Sequence, residues 1–152
     1  MIIEVKNESQ TIKLGEAIGE VLCGGEIIEL IGDVGTGKTT LVKGIASGLE
    51  IDEYIQSPSF TINRIYGGRD NITLSHYDFY RLEDAGIMAN ELQEVVCNPD
   101  IVTIIEWGGV VDGILPKDRL AVNISAPAEL SRKFDIRSNG NLSSGLEGKI
   151  KL

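Results

Sequence analysis

The sequence predicts a three-layer α/β fold whose central sheet is mostly parallel. Short, strongly apolar runs alternate with segments whose apolar residues recur at helical spacing, which is the pattern of strands connected by helices. Apolar residues make up 42% of the chain and charged residues 24%, a composition typical of a globular protein with a core. No internal repeat and no distinct linker divides the sequence, so we expect a single domain over residues 1–152.

The elements of the first half follow from this periodicity. Residues 1–5 form a short apolar run and are predicted to be an edge strand. Residues 11–23 have one apolar and one charged face, which predicts an amphipathic helix that ends at a pair of glycines. Residues 26–31 are a compact apolar run and predict a buried strand. A glycine-rich stretch follows, and residues 41–49 return to helical spacing.

The second half is predicted in the same way. Its expected elements are an irregular stretch over 50–60, two strands over 60–66 and 71–77 joined at Gly67-Gly68, a helix over 84–96, a strand over 101–106, and late strands over 120–124 and 134–137. Residues 138–152 are rich in glycine, serine and asparagine, and we expect a loose tail or a frayed last strand.

Charge and cysteine content narrow the functional classes. The chain has 14 lysines and arginines against 23 aspartates and glutamates, a net charge of −9, which argues against a free-standing nucleic-acid binder and against an anionic membrane surface. No apolar run approaches the length of a bilayer span, and the first ten residues lack the pattern of a signal peptide. Two cysteines are too few for a disulfide framework, so we expect a reduced, cytoplasmic protein without a membrane partner.

Residues 32–39, GDVGTGKT, match G-x-x-x-x-G-K-[ST] at every fixed position, between a predicted strand and a predicted helix. Glycines at 32, 35 and 37 permit a backbone that turns its amides toward phosphates, and the helix dipole adds to the attraction. Lys38 is expected to reach the β- and γ-phosphates and the Thr39 hydroxyl to bind Mg²⁺. An ordinary glycine-rich turn would not require Lys-Thr after its last glycine. The motif therefore predicts nucleotide binding on a P-loop NTPase-like fold.

Two acidic residues end apolar runs, Asp78 after TLSHY and Glu106 after IVTII. Residues at the carboxyl ends of strands in an open α/β sheet point into the ligand crevice, so both are candidates for a metal or water ligand. The alternative is that both lie in solvent. On a strand, His76 and Tyr80 would share a face with Asp78. His76 is the only histidine and is a minor catalytic candidate, because a lone histidine is more often structural.

Three further features remain open from the residues alone. Ser57-Pro58-Ser59-Phe60 occupies the place where phosphate-loop proteins often carry a segment sensitive to the γ-phosphate, but it fits an ordinary turn equally well. Trp107, the only tryptophan, follows Glu106 and belongs either to the core or near the nucleotide. Arg81 is either a phosphate contact or an ion-pair partner.

These motifs in order, TIKLG, GDVGTGKTT, SPSF, HYDFYRL and IEW, resemble the TsaE family, the ATPase of bacterial tRNA threonylcarbamoyladenosine synthesis. The likeness covers about residues 11–137. The phosphate loop is widely shared, and the combination behind it is much more specific. Four positions depart from the family pattern, Val34, Thr36, Ser59 and Gly108; the last replaces a frequent proline and leaves the geometry of that loop open.

The resemblance implies a role for each matching residue. Thr11 would lie near the adenine of ATP, and a late arginine, Arg132, would also lie near the nucleotide. The implied phosphate-binding residues are Gly35, Gly37, Lys38, Thr39 and Thr40, and Thr36 is a further implied nucleotide-binding residue. Thr39 and Glu106 would bind Mg²⁺, and Asp78 would support metal or water. Catalysis would rest on Lys38, Asp78 and Glu106. Ser57, Pro58 and Ser59 would form the switch segment, with Trp107 near the nucleotide.

The family further implies a Mg²⁺-dependent ATPase that is weak alone and depends on its partner, the TsaD–TsaB heterodimer. It would support repeated turnover of that complex without performing the threonylcarbamoyl transfer, and would meet tRNA only through its partners. Two alternatives remain open: a small-molecule kinase on the same fold, and a nucleotide-dependent protein-binding module without significant hydrolysis. A GTPase is less favoured because no Asn-Lys-x-Asp segment is present.

Overall fold

Seven strands and four α-helices follow one another along the chain, and the computed structural model describes them over residues 1–152. In order they are β1 (Ile2–Val5), α1 (Glu8–Val21), β2 (Ile27–Ile31), α2 (Lys38–Gly48), β3 (Asn63–Gly67), β4 (Thr73–Asp78), α3 (Ile87–Val95), β5 (Ile101–Glu106), β6 (Leu120–Ser125), β7 (Arg132–Ser138) and α4 (Asn141–Glu147). None of the helices combines the length and apolar character needed to cross a membrane.

The strands form one sheet in the order β1-β7-β6-β2-β5-β4-β3. The four inner strands β6, β2, β5 and β4 are parallel to one another, whereas β3 on one side and β7 with β1 on the other pair antiparallel. The prediction of an α/β fold with a parallel centre is confirmed, and the sheet as a whole is mixed. Because β2 and β5 are central, the loops that follow them open at the middle of the sheet edge.

Alternate residues of the central strands face two separate apolar clusters. Ile28 and Leu30 belong to the larger cluster, which includes buried residues of α1 and α2. Ile27 and Ile105 point to the other face and join a smaller cluster with Leu92 of α3. The central strands are therefore covered on both faces, which explains why their sequences are continuously apolar.

Helices α1 and α2 approach each other through glycines spaced four residues apart. A Cβ added to Gly15 or Gly19 of α1 would overlap a backbone carbonyl oxygen of α2, and the same holds in reverse for Gly44 and Gly48. No larger residue fits there without moving a helix. This contact fixes α2, whose first turn follows the glycine-rich loop, against α1, which carries Thr11.

Several boundaries differ from the predictions. Helix α1 begins at Glu8, three residues early, because Asn7 accepts a hydrogen bond from the Gln10 amide and caps a polar first turn that lacks apolar periodicity. Strand β3 begins only at Asn63, because the residues before it form a turn. In this turn the Pro58 carbonyl accepts hydrogen bonds from the amides of Thr61 and Ile62, and Ile62 has φ +67°. The connection from β3 to β4 is a short 3₁₀ helix, wider than the predicted glycine turn.

The structure also differs from the loose tail expected over residues 138–152. Strand β7 continues to Ser138, α4 follows, and Leu146 and Ile150 are buried in the larger cluster. The Asp118 carboxylate accepts hydrogen bonds from the amides of Leu142 and Ser143 at 2.9 and 3.0 Å. The polar composition of the tail therefore reflects a capped surface helix that contributes only a few apolar side chains to the core.

Candidate functional site

The glycine-rich loop links β2 to α2 and presents an open backbone surface. Gly35 and Gly37 have φ of +81° and +102°, a region that glycine enters without strain. A Cβ on Gly35 would meet no atom within 4 Å, so the space before it is open. The amides of Lys38, Thr39 and Thr40 make no hydrogen bond within the chain. Unpaired amides at the positive end of a helix form a site for an anion such as a phosphate.

Lys38 lies at the start of α2 and is 6% exposed. Its ammonium donates hydrogen bonds to the carbonyl oxygens of Gly32 at 2.7 Å and Asp33 at 2.8 Å. The same Nζ lies 5.2 Å from the centre of the Trp107 ring, within cation–π range. Lys38 thus spans the loop and contacts the residue that follows β5.

Two side chains hold the loop from its far side. The Thr36 hydroxyl donates to the Asp33 carbonyl at 2.8 Å, so Thr36 stabilises the turn and does not line the cavity described below. The Arg132 guanidinium donates through Nε to the Thr36 carbonyl at 2.9 Å, and through Nη1 to the carbonyls of Glu129 and Ser131. Arg132 therefore ties the loop to the segment before β7. Its Nε and Nη1 groups are engaged in these contacts.

The two predicted carboxylates lie side by side. Asp78 and Glu106 are paired residues at the ends of the parallel strands β4 and β5, and Glu106 is also paired with Leu30 of β2, just before the loop. Both are 3% exposed. Glu106 Oε1 lies 2.8 Å from Nε2 of the buried His76. Asp78 accepts one hydrogen bond from Ser59 Oγ and one from the Tyr80 amide, each at 2.8 Å.

The segment over residues 57–62, which we call the serine segment, contacts the site through its hydroxyls. Ser57 Oγ lies 2.8 Å from Ser59 Oγ, and Ser59 donates in turn to Asp78. Phe60 is fully exposed next to these contacts. Ile62, a β-branched residue that rarely takes positive φ, has φ +67°. This segment is thus joined to Asp78 by a chain of hydroxyls and contributes little to the core.

These groups surround a cavity of about 360 Å³. Its lining residues are Val34, Gly35, Gly37, Lys38, Thr39, Thr40, Ser57, Ser59, Asp78, Tyr80, Glu106 and Trp107. Ten of the predicted site residues meet here, and Val34 and Tyr80 were not predicted to line a site. Tyr80 lies two residues beyond the end of β4, and the alternation of His76, Asp78 and Tyr80 in the sequence had already placed it on the face of Asp78.

A second cavity of about 290 Å³ lies next to the first, and the two share Gly35, Gly37 and Thr40. The second cavity is lined by Thr11 and Arg132, with Asn7, Glu8, Glu129 and Leu130. The two residues that the sequence placed apart from the phosphate site are therefore together, on the α1 side of the loop. Pro58 lines neither cavity and serves the turn through its carbonyl.

Trp107 takes one of the two places that the sequence left open, and Arg81 does not take the ion-pair alternative. Trp107 is 36% exposed with φ +56°, and its ring contacts the Tyr80 ring at 4.9 Å, so it lies at the cavity wall and not in the core. Arg81 makes no ion pair within the chain, and its guanidinium lies 5.0 Å from the centre of the Tyr80 ring.

The donor set suits Mg²⁺ together with a nucleotide. No group of three His, Cys, Asp or Glu side chains is arranged to hold a metal ion. Mg²⁺ usually takes one or two carboxylates and completes its octahedron with phosphate oxygens and water. One carboxylate and one hydroxyl, from Glu106 and Thr39, line the same cavity as the open amides of the loop. The residues present therefore fit a metal that arrives with phosphates.

Fold and site together define an α/β protein with a glycine-rich loop of the phosphate-binding type at the carboxyl edge of its parallel strands. The family model described as "Threonylcarbamoyl adenosine biosynthesis protein TsaE" matches residues 5–134. The chain belongs to the TsaE family, which confirms the resemblance seen in its motifs.

Individual relatives agree with this membership. The chain is 44% identical over 112 residues to a protein from Nostoc sp., covering 69% of this chain and 66% of the relative. It is 35% identical over 132 residues to a protein from Treponema pallidum, covering 86% of this chain and 96% of the relative. Both are described as tRNA threonylcarbamoyladenosine biosynthesis protein TsaE. The crystal structure of Bacillus subtilis YdiB superposes with a TM-score of 0.82 at 26% identity, covering 99% of this chain and 93% of YdiB.

Proposed function

We propose that the chain is a single-domain, Mg²⁺-dependent ATPase that serves tRNA threonylcarbamoyladenosine synthesis. The observation that carries the proposal is one cavity in which the open amides of the loop, Lys38, Thr39 and two strand-end carboxylates converge. This is the set of groups that phosphoryl transfer to water requires, namely a phosphate cradle, a metal site and a group that orients the nucleophile. Membership of the TsaE family supports the pathway.

In this proposal the loop amides and Lys38 hold the β- and γ-phosphates, and Lys38 exchanges its two carbonyl contacts for phosphate oxygens. Thr39 and Glu106 hold Mg²⁺, which when bound neutralises the charge that develops on the phosphates. Asp78 acts on water or metal. It also accepts two hydrogen bonds, one of them from Ser59, and so holds the serine segment at the site. The second cavity, with Thr11 and Arg132, receives the nucleoside, because it adjoins the loop directly.

The same proposal extends to partners. By its family, the chain binds the TsaD–TsaB heterodimer, hydrolyses ATP weakly alone and supports repeated turnover of the complex. A net charge of −9 disfavours direct binding to phosphate backbones, so tRNA is met through the partners. The serine segment suits coupling of the nucleotide to a partner, because it joins Asp78 to a fully exposed phenylalanine.

The experiment measures ATP hydrolysis with and without purified TsaD–TsaB and tRNA. Lys38→Ala is expected to lower hydrolysis by roughly 100-fold or more, as the loss of a charge-stabilising donor does elsewhere. Lys43→Ala is the matched control, because Lys43 lies on the same helix outside the cavity and its Nζ lies over the Tyr54 ring. Unchanged hydrolysis in Lys38→Ala refutes the proposal. Partner-independent phosphorylation of a metabolite would indicate a kinase instead, and partner binding without hydrolysis would indicate a binding module.

A further inference from the structure

His76 is a buried polar residue with one defined contact. It lies in β4 with no exposed surface, and it lines neither cavity of the site. Its Nε2 lies 2.8 Å from Glu106 Oε1, while Nδ1 is buried without a hydrogen-bond partner. Since a carboxylate oxygen accepts, Nε2 is the donor of this hydrogen bond, and Nδ1 is left without a partner.

This placement costs free energy that an aliphatic residue would avoid. In the sheet, His76 is paired with Ile104 of β5. Leu74, two residues earlier in β4, belongs to the larger apolar cluster. A buried polar atom without a partner is destabilising, so packing alone gives no reason for an imidazole here. The contact that distinguishes His76 from a core residue is its hydrogen bond to Glu106.

The geometry points to His76 as a positioning residue for Glu106. This inference rests on the proposed function above. The buried donor holds Oε1 and restricts rotation of the carboxylate. Oε2 makes no hydrogen bond within the chain, and it is not among the buried atoms that lack a partner. Glu106 lines the cavity, so Oε2 is the oxygen available there to a metal bound with the nucleotide.

The hydrogen bond from His76 to Glu106 Oε1 affects which metal ion the site prefers. Ca²⁺ accepts bidentate carboxylates and six to eight ligands in flexible geometry, whereas Mg²⁺ demands a near-ideal octahedron and usually takes carboxylates through single oxygens. By holding Oε1, His76 favours contact through one oxygen and thereby favours Mg²⁺ over Ca²⁺. Its loss is expected to weaken Mg²⁺ binding more than Ca²⁺ binding.

The test uses the full chain and three substitutions at one position. His76→Gln places an amide donor near the position of Nε2, His76→Asn places it near Nδ1 and out of reach of Glu106, and His76→Leu keeps volume without a donor. Ser75→Ala is the matched control, because Ser75 is buried on the same strand but faces the other way and donates a hydrogen bond to Asn63. Thermal melting of each variant establishes that it is folded.

Nucleotide binding is measured first with ADP in the presence of EDTA, and then with ADP while Mg²⁺ or Ca²⁺ is titrated, using the fluorescence of Trp107. We expect all folded variants to bind metal-free ADP like the wild type. In the Asn and Leu variants the Mg²⁺ dissociation constant is expected to rise about tenfold, the lower end of what loss of such an outer contact costs. The Gln variant is expected to stay near the wild type, and Ser75→Ala to be unchanged.

Three results would overturn the assignment: Mg²⁺ binding that is unchanged in the Asn and Leu variants, equal losses of metal-free and metal-bound ADP, or a Gln variant as weak as the Asn variant. Failure of the wild-type chain to bind ADP at all would instead refute the proposed ATPase function. The two failures are therefore distinguishable.

Discussion

Two segments beside the same cavity are held in very different ways. The glycine-rich loop is fixed from several sides: its helix α2 contacts α1 at glycines that admit no larger residue, and Arg132 bonds to the Thr36 carbonyl. The serine segment, residues 57–62, has a fully exposed phenylalanine, a strained Ile62 and a side-chain hydrogen bond from Ser59 to Asp78. Under the proposed function, the loop is a preformed binding surface and the serine segment is the part that responds to what is bound there.

A preformed loop loses little conformational entropy when an anion binds, so affinity for the nucleotide should depend on the contacts that fix α2 and the loop. A segment joined to the site by a few hydrogen bonds can shift between states with a small free-energy change. Substitutions in the first region should therefore change stability and affinity. Substitutions in the second should change turnover while affinity is kept.

The largest effect is expected at the contact between the two helices. Gly15→Ala places a methyl group against the Leu41 carbonyl of α2, and should lower the free energy of unfolding by about 3 kcal/mol, the upper end of typical overpacking costs. Urea denaturation measures the loss. Gly145→Ala in α4 is the control, because its Cβ meets no atom within 4 Å and it should gain about 0.5–1 kcal/mol. Full stability of Gly15→Ala would show that α2 is free to move.

The next effect concerns the loop alone. Arg132→Ala removes the donor to the Thr36 carbonyl, and the affinity for ADP should fall about tenfold, since a hydrogen bond from a charged group contributes about 1.5–3 kcal/mol. Calorimetric titration with ADP provides the measurement. Arg137→Ala on the same strand is the control, because that guanidinium is exposed and pairs only with Asp135. Equal affinities in the two variants would contradict a loop held by Arg132.

The serine segment should respond in the opposite sense. Ser59→Ala removes the hydrogen bond to Asp78, which is expected to slow hydrolysis by roughly fivefold, corresponding to about 1 kcal/mol, and to leave ADP affinity unchanged. Steady-state phosphate release and ADP titration test the two halves of this expectation. Thr61→Ala, in the same segment, is the control because the Thr61 hydroxyl makes no hydrogen bond within the chain. A parallel loss of affinity in Ser59→Ala would remove the distinction between the two regions.

The sequence predicted the features that depend on local order. A strand, a glycine-rich loop and a helix are contiguous in residues 26–49, and Asp78 and Glu106 each end an apolar run, so pattern alone placed them at one sheet edge. The resemblance to the TsaE family added Thr11 and Arg132, which do lie together. The metal, phosphate and switch roles of these residues remain predictions.

Other features arise from contacts between distant segments. The four glycines of α1 and α2 stand at a spacing of four, but only the packed helices show that each faces a backbone. Glu106 meets His76 across adjacent strands, thirty positions apart in the chain. The left-handed conformation of Ile62, which delays β3, runs against the preference of a β-branched residue and has no local signal.

The smallest effect is expected from substitutions in the C-terminal region, which serves as a reference for the glycine-rich loop and the serine segment. Helix α4 begins after Gly140, which has no side chain to cap it, and the Asp118 carboxylate accepts hydrogen bonds from the amides of Ser143 and Leu142 instead. These hydrogen bonds hold the pKa of Asp118 below its ordinary value of 3.8. The ionised form is thus favoured in the folded chain, so its contribution to stability is present above pH 3.8 and is lost as the pH falls below that value.

Amide hydrogen exchange in α4 should therefore show lower protection at pH 3 than at pH 6, while protection in β5 changes less. Asp118→Ala should lower α4 protection at pH 6 and leave ADP affinity and hydrolysis unchanged, because the cap lies outside both cavities. Asp70→Asn is the control, since Asp70 is exposed and pairs only with Arg69. A change of ADP affinity in Asp118→Ala would mean that the C-terminal helix helps to fix the loop through β7 and Arg132, and that the preformed region extends further than the α1–α2 contact.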